Sequence, residues 1–201
     1  MMWRLKRIIG NARDLLIPYM PCRLGAIGEG SYIPFPHRIH GGRRIRIGKR
    51  LRIGRNAYLH AIESYGAQCF SPEILIGDDV YIGPSCYIAA VNRIEIQNGC
   101  VLSEGAYVSD VAHGMDPEKG LIMKQTLASR GTVIIGEHSF IGLRAAIMPG
   151  VHLGPHCIVG TGAVVTRSHP SYSVIVGNPG RCVKRFDPAA QEWIQMDRED
   201  V

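Results

Sequence analysis

Aliphatic residues recur every six positions through most of this chain. The clearest block runs Ile135, Ile141, Ile147, Leu153, Val159, Val165, with glycine following the lead at 136, 142, 154 and 160. Four places after each lead stands a small or compact residue: Ser139, Ala145, Val151, Cys157, Ala163. An earlier block reads Ile76, Ile82, Ile88, slips by two residues, and resumes at Ile96, Leu102 and Val108. Its fifth positions are Val80, Cys86, Asn92, Cys100, Ala106 and Ala112. A weaker first block has Ile27, Ile33 and Ile39, a similar slip, then Ile47, Ile53 and Leu59.

A period of six does not fit an amphipathic helix, whose apolar stripe repeats every 3.6 residues. It fits a short strand followed by a corner. The lead residue points inward, and glycine after it permits a tight turn free of Cβ conflict. The compact fifth residue fits where the wall bends. Three units close one triangular coil of about eighteen residues, and coils must stack because none buries its own apolar face. The pattern predicts an all-β parallel β-helix.

The period breaks at Tyr65 to Glu73, at residues 111–131, and at the exit, Ser168 to Arg185. Long loops in a compact fold are usually functional, so 111–131 is expected to protrude beside an active site. Residues 1–20 read as an amphipathic helix, with Leu5, Ile8, Ile9, Ala12, Leu15, Leu16 and Tyr19 on one face and Arg4, Arg7 and Arg13 beside them. It either covers the open end of the coil or lies on a membrane surface. The β-helix domain is expected over 21–185. Residues 186–201 read as a helical tail, with Asp187 as N-cap, Pro188 at the first helical position and Trp193 docking on the body.

Composition narrows the setting. No apolar run is long enough to span a bilayer, and the charged start lacks a secretory pattern, so a cytoplasmic chain is expected, with the inner membrane surface open to it through residues 1–20. The six cysteines form no CxxC pair, and Cys86, Cys100 and Cys157 occupy the compact fifth position as core fillers. A net charge of +6 favours anionic partners. No nucleic-acid motif accompanies it, which leaves a polyphosphate-bearing cofactor or an anionic membrane.

Candidate chemistry lies in Ser109-Asp110-Val111-Ala112-His113-Gly114, where the second block meets the long loop. Histidine is the side-chain type suited to taking a proton near neutrality, and a hydroxyl acceptor needs such a base to become nucleophilic. Asp110 is placed to orient the ring or to bind an acceptor.

The stretch from Ile74 to Arg185 resembles the hexapeptide-repeat acetyltransferases, in particular those acting on maltose, galactosides and O-antigen or capsule polysaccharides. The likeness rests on Val108-Ser109-Asp110-Val111-Ala112-His113, on Val133 through Gly142, on Pro149-Gly150-Val151-His152-Leu153-Gly154, on Val164-Val165-Thr166-Arg167, and on Val176-Gly177-Asn178-Pro179-Gly180-Arg181. It implies a left-handed coil, a hand that spacing alone does not give. It also implies a homotrimer, with acetyl-CoA between subunits as co-substrate and no metal required. By that resemblance His113 is the general base and Asn92, with Asp110, contacts the acceptor. Gly142, Leu143, Gly160 and Thr161 line the pantetheine arm. Thr166 and Arg167 meet the cofactor's far end, and Arg181 and Lys184 its phosphates. Phe140 replaces a common Trp, Thr161 a common Ala and Arg167 a common Lys. The implied reaction is O-acetylation of a sugar, with a lipid-linked saccharide as one candidate acceptor and an amino sugar the alternative. A zinc enzyme of the γ-type carbonic anhydrase kind shares the fold and would need three histidines; His138 and His156, eighteen residues apart, would stack one coil apart.

Overall fold

A computed structural model describes residues 24–34 and 38–196. The expected helix at 1–20 lies outside the described residues.

The six-residue units build three parallel sheets that form the sides of a prism. Face 1 contains Ala26–Ile27, Ile45–Ile47, Glu73–Ile76, Arg93–Ile96, Val133–Ile135 and His152–Leu153. Face 2 contains Arg52–Ile53, Tyr81–Ile82, Val101–Leu102, Phe140–Ile141, Ile158–Val159 and Ser173–Val176. Face 3 contains Arg38–His40, Tyr58–Ala61, Tyr87–Ala90, Tyr107–Ser109, Ala146–Ile147 and Val164–Val165. The chain visits faces 1, 2 and 3 in turn, so each strand pairs with its counterparts one coil before and after. No strand there carries an unpaired interior edge, which is how so many two-residue strands persist.

The lead residues line the core. Ile76, Ile82, Ile88, Ile96, Leu102, Val108, Ile135, Ile141, Ile147, Leu153, Val159 and Val165 are all buried. Cys86, Cys100 and Cys157 are fully buried beside them. Burial pushes the Cys86 and Cys100 thiols up to about 11, and raises Cys157 as well, so these are core fillers rather than nucleophiles. The glycines after the leads serve coil-on-coil approach: a Cβ on Gly142 would lie 2.7 Å from the Thr161 nitrogen and the Val159 oxygen.

Register shows where the regularity fails. Ile135 opposes Leu153, Ile141 opposes Val159 and Ile147 opposes Val165, eighteen residues apart each time. Ile76 opposes Ile96, twenty apart. Ile47 opposes Ile76, twenty-nine apart, and Ile96 opposes Ile135, thirty-nine apart. Every added residue enters between face 3 and face 1. That corner holds the Gly42–Arg44 3-10 turn, the hairpin Ser64–Tyr65 with Gln68–Cys69, the turn at 91–93, and the loop 111–131.

The C-terminal tail departs from expectation. Residues 188–196 do not form a helix: Arg181–Asp187 and Glu192–Gln195 are antiparallel strands that extend face 2. The Asp187 carboxylate accepts from the Ala189 and Ala190 amides at 2.8 and 3.3 Å, so it caps a tight turn instead of a helix. Asp and Pro favour both outcomes. The open strand edge and the Phe186–Trp193 cross-strand pair, ring centroids 5.4 Å apart, favour the hairpin.

Candidate active site

The corner between faces 3 and 1 gathers the reactive side chains. After Ser109 the chain leaves the wall as Val111–His113, which pairs antiparallel with Leu127–Ser129. His113 sits opposite Leu127 at the outer end of this two-stranded arm and is exposed. Its imidazole forms no hydrogen bond among the described residues.

The loop beyond it is braced from within. Gln125 is buried, accepts from the Asp116 amide at 3.0 Å, and donates to the Asp116 and Gly120 carbonyls at 2.8 and 3.1 Å. Asp116 caps the 3-10 turn Pro117–Lys119 through the Glu118 amide. The loop tip carries exposed Met115, Leu121, Ile122 and Met123.

Asp110 takes a different part from the one expected. It is fully buried, and its carboxylate accepts from the Val91, Asn92 and Arg93 amides at 2.8, 2.8 and 2.6 Å. It forms no hydrogen bond with His113. Burial pushes its carboxyl up from 3.8, against the pull of the three donors. Its oxygens are committed to the previous coil, so neither ring orientation nor acceptor contact falls to it. What it does is fix the turn that presents Asn92, whose side chain is exposed at the same corner, one coil before His113.

Two residues absent from the sequence reading complete the corner. Tyr65 approaches His113 edge to face, with centroids 5.5 Å apart and planes at 75°. Gln68 bonds Leu127 twice, Nε2 donating to its carbonyl at 3.0 Å and Oε1 accepting from its amide at 2.7 Å. The break at Tyr65 to Glu73 marks this hairpin; its reach over more than fifty residues is not visible in any local pattern.

The residues expected to line a cofactor divide between two corners. Gly142, Leu143, Gly160 and Thr161 stack on the corner between faces 2 and 3, joined by Gly162 donating to the Leu143 carbonyl at 2.8 Å. Leu143 and Thr161 are exposed there. Arg181 lies just beyond, where the Gly180 amide donates to the Val164 carbonyl, and Lys184 is exposed on face 2. Thr166 and Arg167 fall instead on the His113 corner, two coils further along. Arg167, Arg181 and Lys184 form no ion pair among the described residues, which leaves a basic end that suits phosphate. The two corners are separated by the width of face 3, roughly 15–20 Å for a six-residue unit, so one chain alone does not bring His113 to the Gly142–Thr161 edge.

His138 and His156 do stack one coil apart, with centroids 5.1 Å apart and planes at 30°. Tyr172 stacks on His156 in turn. Stacked rings direct their nitrogens sideways, not toward a shared ion.

These features define the class. The fold is the left-handed parallel β-helix, and residues 73–110 and 132–167 match the hexapeptide repeat of succinyl-transferase. Among curated proteins it is similar to a chloramphenicol acetyltransferase of Agrobacterium fabrum, 41% identical over 58 residues, which is 28% of each chain. The chain thus spans under a third of the length of the curated relatives it matches. Among solved structures it is similar to AntD, an N-acyltransferase from Bacillus cereus in complex with dTDP and 3-hydroxybutyryl-CoA, with TM-score 0.69, 20% identity, and coverage of 94% of this chain and 90% of that one. A galactoside acetyltransferase in complex with coenzyme A gives TM-score 0.53 and 21% identity, covering 92% and 75%.

Proposed function

We propose that this chain is an acetyl-CoA-dependent acyltransferase that acetylates a sugar hydroxyl in cell-surface polysaccharide synthesis, working in the cytoplasm at or near the inner membrane. The observation that carries the reading is His113, an exposed imidazole with no hydrogen bond among the described residues, on a braced arm at the same corner as Asn92. His113 takes the acceptor's proton as its oxygen attacks the thioester carbonyl, and Asn92 holds the acceptor. The coenzyme A thiol leaves, and the proton passes to it. The core cysteines, buried and raised, take no covalent part.

The cofactor edge and the His113 corner lie on opposite sides of face 3, so a complete site needs a second copy whose His113 corner meets this chain's Gly142–Thr161 edge. A homotrimer closes that contact by rotation. Residues 1–20 would hold it near a lipid-linked saccharide. The likeness to the AntD N-acyltransferase favours a second reading, acyl transfer to an amino sugar; a panel of hydroxyl and amino acceptors separates the two.

Thermal unfolding with acetyl-CoA tests the proposal. At about 100 times its dissociation constant the ligand should stabilise by about 2.7 kcal/mol, and chelator should change nothing. No shift with acetyl-CoA, together with destabilisation by chelator, would favour a zinc enzyme instead.

A further inference from the structure

We propose that Tyr65 is a positioning residue for His113, tying the orientation of the imidazole to the position of the loop 111–131. The inference rests on His113 being the general base. Two insertions from different coils meet here, and a single side chain touches both the ring and the loop.

The Tyr65 ring sets its contact against the imidazole at 5.5 Å and 75°, an arrangement aromatic pairs favour. At its other end the hydroxyl donates to the Met123 carbonyl at 2.5 Å. Gln68, in the same hairpin, holds Leu127, the residue opposite His113 in the arm. The hairpin therefore grips both strands' worth of geometry: the ring through Tyr65, the backbone beside it through Gln68. His113 has no hydrogen-bonding partner among the described residues to set its rotamer, so the aromatic contact with Tyr65 limits its rotation. Met123 belongs to the exposed apolar tip. The Tyr65 hydroxyl thereby couples the position of that tip to the orientation of the base.

Two substitutions separate the halves of the clasp. Tyr65→Phe keeps the ring edge and cuts the loop tether. Tyr65→Leu removes both. We expect Tyr65→Leu to lower kcat about ten- to a hundredfold, the range expected when a reacting group is misplaced by about 1 Å, with KM for acetyl-CoA unchanged. Tyr65→Phe should keep kcat within about threefold and raise KM for the acceptor, since a contact worth about one neutral hydrogen bond is lost. The His113 ring resonance, assigned through His113→Gln, should move in Tyr65→Leu and stay in place in Tyr65→Phe. Equal kcat losses in both variants, or an unmoved His113 resonance in Tyr65→Leu, would overturn the proposal. The resonance is read without substrate, so it decides the ring contact independently. Wild-type protein that binds acetyl-CoA but transfers nothing, with a resonance that moves as expected, would overturn the general-base reading instead.

Discussion

Two corners of the same prism differ in how much sequence they hold. Between faces 2 and 3, the last coils turn in the same few residues each time, and glycines let the backbones of Gly142 and Gly160 press against the next coil. Between faces 3 and 1, the chain adds two residues, or eleven, or twenty-one. The first corner has little freedom and offers a repeating edge of exposed Leu143 and Thr161. The second has room for side chains that no repeat specifies, and it carries His113, Asn92 and Tyr65. A repeat can supply an even groove for a long, uniform cofactor arm. Side chains such as His113 and Asn92 need individual placement, and only the interrupted corner permits it.

The largest expected effect breaks this contrast cleanly. His113→Ala should lower turnover by roughly 10²–10⁴-fold while leaving the melting temperature and acetyl-CoA binding near wild type, because the side chain is exposed and forms no hydrogen bond among the described residues. Steady-state kinetics beside a ligand-induced thermal shift checks both. A parallel loss of acetyl-CoA binding would place His113 in cofactor recognition and dissolve the division between corners.

Gly142→Ala should show the reverse order of damage. The added Cβ would meet backbone atoms at 2.7 Å, so the coils must part, at a cost of about 1–3 kcal/mol. Thermal denaturation should register it, and acetyl-CoA affinity should fall as well. An unchanged melting temperature would mean that this corner is less rigid than its packing indicates.

The smallest effect concerns protons. Burial, then Arg167 and Arg181, lower the pKa of His169 from 6.5; burial, then His40, lower that of His60. The unfolded chain therefore binds these protons first as pH falls. Their stabilising contribution is present above 6.5 and is lost as pH drops through the lower folded values. Melting temperature should decline as pH falls below that point, and His169→Asn should flatten the decline. Asp110, raised from 3.8, acts in the opposite sense: its contribution is present below 3.8 and is lost as pH rises through its folded value.

How much of this was legible beforehand follows from the range of the interactions. The coil was legible because inward leads and compact corners recur with a fixed period, and each makes the same contact. The loop was legible as a break in that period, and His113 as an exposed side chain at its edge. Asp110 was misassigned because a motif gives residue type but not the direction of the side chain, and here the carboxylate points into the wall. The tail was misread because Asp187-Pro188 opens a turn as readily as a helix, and the deciding partner was the open edge of the preceding strand, Arg181–Asp187. Tyr65 was missed because its partners lie 48 and 58 residues away, at His113 and Met123.

The concentration of inserted residues at one corner also bears on how the chain reaches this shape. Ring closure between successive coils spans eighteen residues over the last complete turns but thirty-nine across the long loop. The entropy of closing a loop grows only logarithmically, so the longer span costs about 0.7 kcal/mol more. That difference is small beside the apolar area each coil buries, yet it favours the uninterrupted segment around Ile135 to Val165 as the place where winding begins. Growth from such a nucleus would add the interrupted coils afterwards, and the arm that carries His113 would take up its final position only once the wall on both sides of it had formed.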